Sequence, residues 1–427
     1  MQVSVESGEG LQRRMTVQVP GDQLNTAVEK RLRDLARTIR IDGFRPGKVP
    51  LKVLRQRYGN RVKQEAYGEI IQSTFAEAAK QESLLPAGEP RIEVQDSGDA
   101  FGYVAEFEVM PEIALADLGS TTVAQTNADV TDSDVDKLIE KLRHQRSTWN
   151  TVTRAAADGD QLFLSFVGTI EGEPFQGGSG ENVEIVLGSN SMIEGFEQGL
   201  LGVEPQQTRK LDLQFPEKYH VESLAGKPVV FDVSVDEVRE PVLPEVDEDF
   251  ARAFGVEDGS IDGLRADVRN NMERELKQKL HSINKERVMQ ALLDSHGFEA
   301  PQVMTDQEAA RLKQRTREEM ERAGRKSNVD LPLEVFKEQA ERRVKLGLLV
   351  SEIARANNIV PDDTRLRALA EEYAAPYENP QEVVNYYLSD NDARASLRNV
   401  VLEDQVVEWA ADKMQVSPEG SSFDDIM

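Results

Sequence analysis

Cysteine is absent from the 427 residues, which excludes a disulfide framework, thiolate metal sites and a cysteine nucleophile, and fits a reducing compartment. Long apolar runs are missing as well. No stretch reaches the roughly 18 consecutive apolar residues of a membrane-spanning helix. The opening residues, MQVSVESGEGLQRRMTVQVP, lack the basic start and apolar core of a secretory signal. The expectation is a soluble, cytoplasmic protein with no membrane partner. Histidine is scarce: His144, His220, His281 and His296 are scattered, with no His-Glu-x-x-His pair, so no zinc site is expected, nor any other metal or cofactor. No repeat of fixed period is evident.

Positive charge is in deficit. Lys and Arg number 51 against 77 acidic residues, a net charge of -26, which ordinarily favours solubility and disfavours nucleic acid. The deficit is not uniform, because Glu29 to Lys63 holds twelve Lys or Arg against Glu29, Asp34 and Asp42, a local +9. Inside that window lies IDGFRPGKVP, residues 41–50. It is no phosphate loop, since Asp42 and Val49 stand where G-x-x-x-x-G-K-[ST] needs Gly and Ser or Thr. Pro46 and Pro50 restrict the backbone while Gly43 and Gly47 allow tight bends. Together they can present Phe44, Arg45 and Lys48 outward, an apolar anchor between two cations suited to a small pocket beside phosphates or carboxylates. Equally, Phe44 can turn inward and staple the flanking helices. The residues alone leave both readings open.

The length predicts two or three domains of about 100 to 200 residues. The fold class read from the pattern is α+β and multidomain: a small α+β N-terminal domain, an antiparallel β domain with a short helix, and an all-α C-terminal domain. In residues 1–112, Leu11, Met15, Val17 and Val19 alternate as in a half-buried strand. Leu24, Val28, Leu32, Leu35 and Ile39 recur at helical spacing, and a second helix follows Pro50 with Leu51, Leu54, Val62, Ile70 and Phe75. RIEVQDSGDAFGYVAEFEVMP then reads as two strands around a turn. Residues 113–149 form a linker whose Thr131 and Asp134 make a capping box ahead of Val135, Leu138 and Leu142. Residues 150–243 carry short alternating strands and six of the fifteen Phe, the mark of an aromatic interior or pocket. GEPFQGGSG and GGSGEN read as flexible turns rather than phosphate loops. Residues 244–427 are helical, with Leu264, Val268, Met272, Leu276 and Leu280 every four residues, further runs near 305–323, 334–357, 364–374 and 394–414, and SPEGSSFDDIM as a loose acidic tail.

GFRPGKVP after a basic amphipathic helix resembles the ribosome-docking signature of the trigger factor family, and the resemblance extends over the whole chain in the order of its parts. It implies a ribosome-binding domain, an isomerase domain and a substrate-cradling helical domain with arms. It implies docking through Gly43, Phe44, Arg45, Pro46, Gly47 and Lys48 on the large ribosomal subunit at the peptide exit tunnel, beside ribosomal RNA. Nascent and unfolded polypeptides would be the clients, and a homodimer would form off the ribosome.

The middle segment is similar to FKBP-type peptidyl-prolyl isomerases through FVGTIEGEPF, VLGSNSMIEGFEQGL, FPEKYH and VVFDV. Carried over, the resemblance sets Phe166, Phe175, Met192, Ile193, Phe196 and Phe231 around an apolar pocket, with Tyr219 or His220 at its rim, and it does not choose between those two. For Phe166 the pattern favours core over pocket. Gln176 and Phe196 stand where many members have an acid and a Trp, which puts macrolide binding in doubt. Such a pocket needs no nucleophile. Rotation about X-Pro crosses a twisted amide without resonance, a barrier of roughly 18–20 kcal/mol. The twisted state is less polar at its carbonyl, so a dry aromatic site favours it over the planar ground state.

Six of the ten Met lie from 244 onward, on helices where Met and Leu could accept many partner shapes. The reading that joins these parts is a ribosome-associated chaperone that isomerises X-Pro bonds. A free cytosolic isomerase acting on folded proteins leaves the basic window unexplained. An RNA-binding ribosome-assembly factor would stack bases on aromatics, and only Phe44 and Tyr58 occur from 29 to 63.

Overall fold

The computed structural model of the chain describes every residue except 40–43, 45–48, 97–100, 220, 222 and 324–330. In chain order the elements are strands β1 (Gln2–Ser7) and β2 (Gln12–Val19), helices α1 (Gly21–Thr38) and α2 (Leu51–Gln81), strands β3 (Arg91–Asp96), β4 (Phe101–Glu108) and β5 (Thr122–Asn127), helix α3 (Asp132–Gln145), strands β6 (Thr148–Val152), β7 (Gln161–Ile170) and β8 (Glu173–Val186), helix α4 (Phe196–Gly199), and strands β9 (Thr208–Gln214) and β10 (Pro228–Val242). Helices α5 (Glu248–Ala253), α6 (Ile261–Ser295), α7 (Gln302–Arg322), α8 (Lys337–Asn357), α9 (Asp363–Ala374), α10 (Pro380–Ser389) and α11 (Asn391–Lys413), strand β11 (Gln415–Gly420) and helix α12 (Phe423–Ile426) follow. Two compact units result: residues 1–125 with 283–418, and residues 126–282 with 419–427.

In the first unit, β1-β2-β4-β3 form an antiparallel sheet. The period-2 pattern explains its register: Met15, Val17 and Val19 stand opposite Ala105, Tyr103 and Phe101, all six buried on one face. α2 lays Ala66, Ile70 and Ala78 on that face. Tyr67 stacks on Phe101 at 4.7 Å, and the buried Tyr103 hydroxyl meets Thr74 Oγ1 at 3.0 Å. Pro20 and Pro50 immediately precede α1 and α2, where a missing N–H leaves no helical bond unmade. The two helices close over Leu32, Val49, Leu54 and Val62.

The helical part of this unit rests on three apolar clusters, centred on Leu292, Leu349 and Val406, on Ala309 and Phe336, and on Leu366, Ala370 and Leu397. Helix α10 was missed by periodicity. Val383, Val384, Tyr387 and Leu388 do form a four-spaced stripe on that cluster, but the helix is only ten residues long and the stripe spans little more than one turn of it. Lys285 on α6 is held by Asp404 at 2.8 Å and Glu403 at 2.9 Å on α11. Burial pushes the Lys285 ammonium down, but hydrogen bonds to Asp404 and Glu403 outweigh it and the net shift is upward. A raised folded pKa gives stability that is complete below the unfolded Lys value of about 10.4 and lost as pH rises through the folded value. Lys285→Met is therefore expected to lower the urea midpoint between pH 7 and 9 by taking the shared ammonium away from Glu403 and Asp404, and to narrow its gap from the parent above about pH 11.

In the second unit, β6-β10-β7-β8 form one antiparallel sheet with β9 also paired to β10. Its core is Leu162, Leu164, Val233, Val235 and the buried Phe residues. The glycine-rich segment read as a flexible turn is instead the first half of the fourteen-residue β8. Register shifts against β7 bend it there, and the glycines suit a bulged strand as well as a loop. α3 starts with the capping box anticipated at Thr131 and Asp134. Its Val135 and Ile139 pack with Phe250, Leu264, Val268 and Met272. The acidic tail is not loose. Strand β11 pairs with β5, Phe423 packs on the Val135 and Phe250 cluster, and Asp424 binds Lys137 Nζ at 2.5 Å. Strand pairing, one aromatic and one ion pair together dock the terminus, signals that composition averages away.

Candidate functional site

Three aromatic rings from three elements meet edge to face in the second unit. Phe196, at the first position of α4, lies 5.3 Å from Phe231 of β10 and 5.8 Å from Phe166 of β7, and Phe166 lies 5.8 Å from Phe231. Phe196 and Phe231 are buried and Phe166 is half-buried. A second group continues from it: Phe175 of β8 packs on Phe215 at 5.9 Å, and Phe215 on Tyr219 at 4.7 Å. Phe166, Phe175, Met192, Ile193 and Tyr219 are all partly buried against the same cluster. A floor of two buried rings ringed by partly exposed apolar side chains is a site that can take a small apolar group out of water. Sheet glycines make room for these rings. A Cβ on Gly178 would come within 2.6 Å of the Phe175 ring, and one on Gly168 within 2.6 Å of Phe231.

The turn carrying Met192 and Ile193 is tied down by Glu197, the second residue of α4. Its Oε2 accepts from the N–H groups of Gly188 (2.9 Å) and Asn190 (3.0 Å). Its Oε1 accepts from those of Ser191 (2.8 Å) and Met192 (3.3 Å) and from both the Ser189 and Ser191 hydroxyls at 3.2 Å. Burial pushes the Glu197 carboxyl up, the donors at Asn190, Met192, Ser191 and Gly188 pull it down, and the balance falls below the usual carboxylate range. The group is ionised at neutral pH.

Of the residues expected around the pocket, Phe166, Phe175, Met192, Ile193, Phe196, Tyr219 and Phe231 are brought together by the fold, and His220 lies outside the described residues. Two participants were not singled out from sequence, although both stand within the quoted motifs: Phe215 in FPEKYH and Glu197 in IEGFEQGL. Phe215 links Phe175 to Tyr219, a role that depends on ring packing. A lone acidic residue beside Phe196 reads as a solvated helix position until its buried donors are seen.

In the loop of the first unit, Gly43, Arg45, Pro46, Gly47 and Lys48 lie outside the described residues. Phe44 is 39% exposed and is not part of the cluster that joins α1 to α2. The staple is made by Val49, Leu54 and their neighbours. Along the two helices Arg33 pairs with Glu29, and Arg31 and Arg61 share Glu65, each pair exposed and worth little to stability. Among the described residues no group of His, Asp and Glu is arranged to hold a metal ion, and no helix is long and apolar enough to cross a membrane.

Residues 1–142 match the sequence model described as bacterial trigger factor protein, and residues 260–412 match that of its C-terminus. The trigger factor of Thioalkalivibrio sulfidiphilus is 45% identical over all of this chain and 98% of its own length. The chain belongs to the trigger factor family. The trigger factors of Cellvibrio japonicus and Ectopseudomonas mendocina are each 44% identical over the whole chain and 99% and 98% of their own lengths. Residues 152–236, which contain Phe166, Phe175, Phe196, Phe215, Tyr219 and Phe231, match the FKBP-type peptidyl-prolyl cis-trans isomerase model. The protein is thus a chaperone carrying a peptidyl-prolyl cis-trans isomerase of the FKBP type. A solved structure of a trigger factor chaperone, described for promiscuous substrate recognition in folding and assembly, shares the fold at a TM-score of 0.50 and 19% identity, covering 96% of this chain and 99% of that one. The mixed architecture agrees: an α+β N-terminal region, an antiparallel FKBP-like sheet and a helical C-terminal region.

Proposed function

We propose that this chaperone docks on the large ribosomal subunit at the exit tunnel, holds nascent and unfolded chains on apolar helical surfaces, and isomerises their X-Pro bonds at the Phe196 pocket. The observation that carries the docking reading is Phe44: a large apolar ring 39% exposed, inside the one strongly basic stretch of a chain whose net charge is -26. The tip Gly43 to Lys48 makes the contact, Phe44 seated in an apolar pocket and Arg45 and Lys48 on phosphates or carboxylates, ribosomal RNA among them. The work divides as 1–112 for ribosome binding, 150–243 for isomerisation and 244–427 for cradling, with 113–149 as linker. This places the protein in the cytoplasm.

Holding is supported by side chains left half or more in water in the helical region, including Val335 (63%), Val360 (72%), Tyr377 (57%) and Tyr386 (57%). Dispersed weak contacts let a client leave to fold. In the pocket, Phe196 and Phe231 receive the proline ring, Phe166, Phe175, Met192 and Ile193 form walls, and Tyr219 stands at the rim. The pocket works by excluding water from an amide that becomes less polar as it twists.

Cosedimentation of the protein with ribosomes tests docking. Two phosphate contacts, from Arg45 and Lys48, predict that affinity falls roughly tenfold between 50 and 200 mM salt, since each contact contributes a slope near 0.7 to 0.9 in log K against log salt. Failure to pellet at low salt would end the docking reading. A slope several times steeper would favour direct RNA gripping by the whole basic window.

A further inference from the structure

We propose that Glu197 is the positioning residue of the isomerase pocket, its carboxylate holding residues 188–193 in the one conformation in which Met192 and Ile193 wall the cleft. The inference rests on the Phe196 pocket being where isomerisation occurs.

The turn cannot hold this shape by itself. Gly188 (φ +91), Asn190 (φ +53) and Gly195 (φ +89) are all left-handed, and an L-residue such as Asn190 pays for that conformation. Residues 188–193 belong to no strand or helix. Four of their N–H groups converge on a single buried side chain, Glu197 being 7% exposed. Without that anion, the four backbone donors would lose the one acceptor on which they converge. The bonds are charge-assisted, the stronger kind.

The position of Glu197 couples this anchor to the chemistry. Its neighbour Phe196 is the fully buried floor of the pocket, and Phe196 N donates to Ile193 O at 3.1 Å. Floor and wall are therefore set by adjacent residues. A pocket that catalyses only by preferring a twisted amide depends on rigidity, because a wall free to relax would fit the planar ground state as well. The charge is also kept from interfering. With both oxygens committed to backbone and serine donors, Glu197 has little capacity left to attract water or cations into an apolar cleft.

The test uses the full chain with a Xaa-Pro tetrapeptide. Glu197→Gln is nearly isosteric but turns an NH2 group toward N–H donors, and kcat/KM is expected to fall at least tenfold. In the parent, the amides of Gly188, Asn190, Ser191 and Met192 should be protected from hydrogen exchange. In the variant they should exchange fast while those of Leu164 and Val233 in the sheet stay protected. Parent activity should hold from pH 8 to below 5 and decline as Glu197 is protonated, a limb the Gln variant lacks. Glu197→Asp keeps the charge and should recover part of the rate together with part of the protection. If Glu197→Gln keeps its rate within twofold, or if an Asp variant with unprotected turn amides is fully active, the proposal is wrong. Should the Gln variant lose sheet protection too, the Asp variant decides by the same criterion. Phe175→Ala separates the two levels: if it leaves the rate intact, the pocket reading itself fails, whereas loss of rate there with none at Glu197→Gln overturns only the anchor.

Discussion

Replacing Phe44, Arg45 and Lys48 together by alanine is expected to abolish pelleting with ribosomes at moderate salt while leaving the fold intact. Phe44 is 39% exposed and takes no part in the α1–α2 cluster, so its truncation opens no cavity, and exposed substitutions of this sort usually stay within about 0.5 kcal/mol. At an interface the same ring is an anchor of the kind that costs about 2 kcal/mol or more when truncated, roughly thirtyfold in affinity. Loss of both cations weakens binding further and removes the salt dependence that two phosphate contacts confer. Far-UV circular dichroism and the urea midpoint of the variant should match the parent. If the folded triple variant pellets as the parent does, the loop is only a helix connector, and the chain would act as an isomerase free of the ribosome. If Phe44→Ala alone has no effect and the cation pair accounts for everything, the contact is electrostatic and the RNA-gripping reading gains.

Phe196→Ala is expected to be the most damaging single change in the second unit. The ring is fully buried and touches Phe166 and Phe231 edge to face at 5.8 and 5.3 Å. Removing it costs about 3–5 kcal/mol through lost burial and the cavity left behind, with about 0.5–1.5 kcal/mol of that scale attributable to each aromatic pairing. Isomerase kcat/KM should fall to near the uncatalysed rate, because the floor against which the proline ring would lie is gone. Binding to ribosomes should be unchanged, which separates the two sites by experiment. Phe166→Ala sharpens the comparison. That ring is half-buried, so its stability cost should be smaller, and a large drop in rate with a modest drop in stability would place it in the pocket wall. Retention of rate would make it core, the reading that the sequence favoured.

Much of this was readable without coordinates, for definite reasons. Period-2 alternation in Met15, Val17 and Val19, and again in Phe101, Tyr103, Ala105 and Phe107, corresponds to two paired strands with one buried face. The capping box at Thr131 and Asp134 and the helix start after Pro50 are local chemistry, decided by neighbours in sequence. Where the reading failed, the deciding contacts lie outside the segment itself. GEPFQGGSG has the composition of a turn, and pairing with β7 makes it a strand. The tail has the composition of a disordered end, and pairing with β5, packing of Phe423 and the Asp424–Lys137 ion pair dock it.

The chain's amino-acid order by itself determined its α+β multidomain class, the local excess of positive charge around Phe44 and the aromatic content of residues 150–243, since each depends on short-range pattern or on composition, and its motifs carried the resemblance to the family. Only the tertiary structure decided which rings touch, that Phe215 joins Phe175 to Tyr219, that the α1–α2 cluster closes without Phe44, and that Glu197 gathers four N–H groups from the turn ahead of it. The physical reason is that hydrogen-bond donors and ring faces carry no label in sequence. Whether a carboxylate beside Phe196 is a solvated charge or a buried anchor depends on where the backbone of residues 188–192 comes to lie, and that is fixed by the sheet and the core packed beneath it.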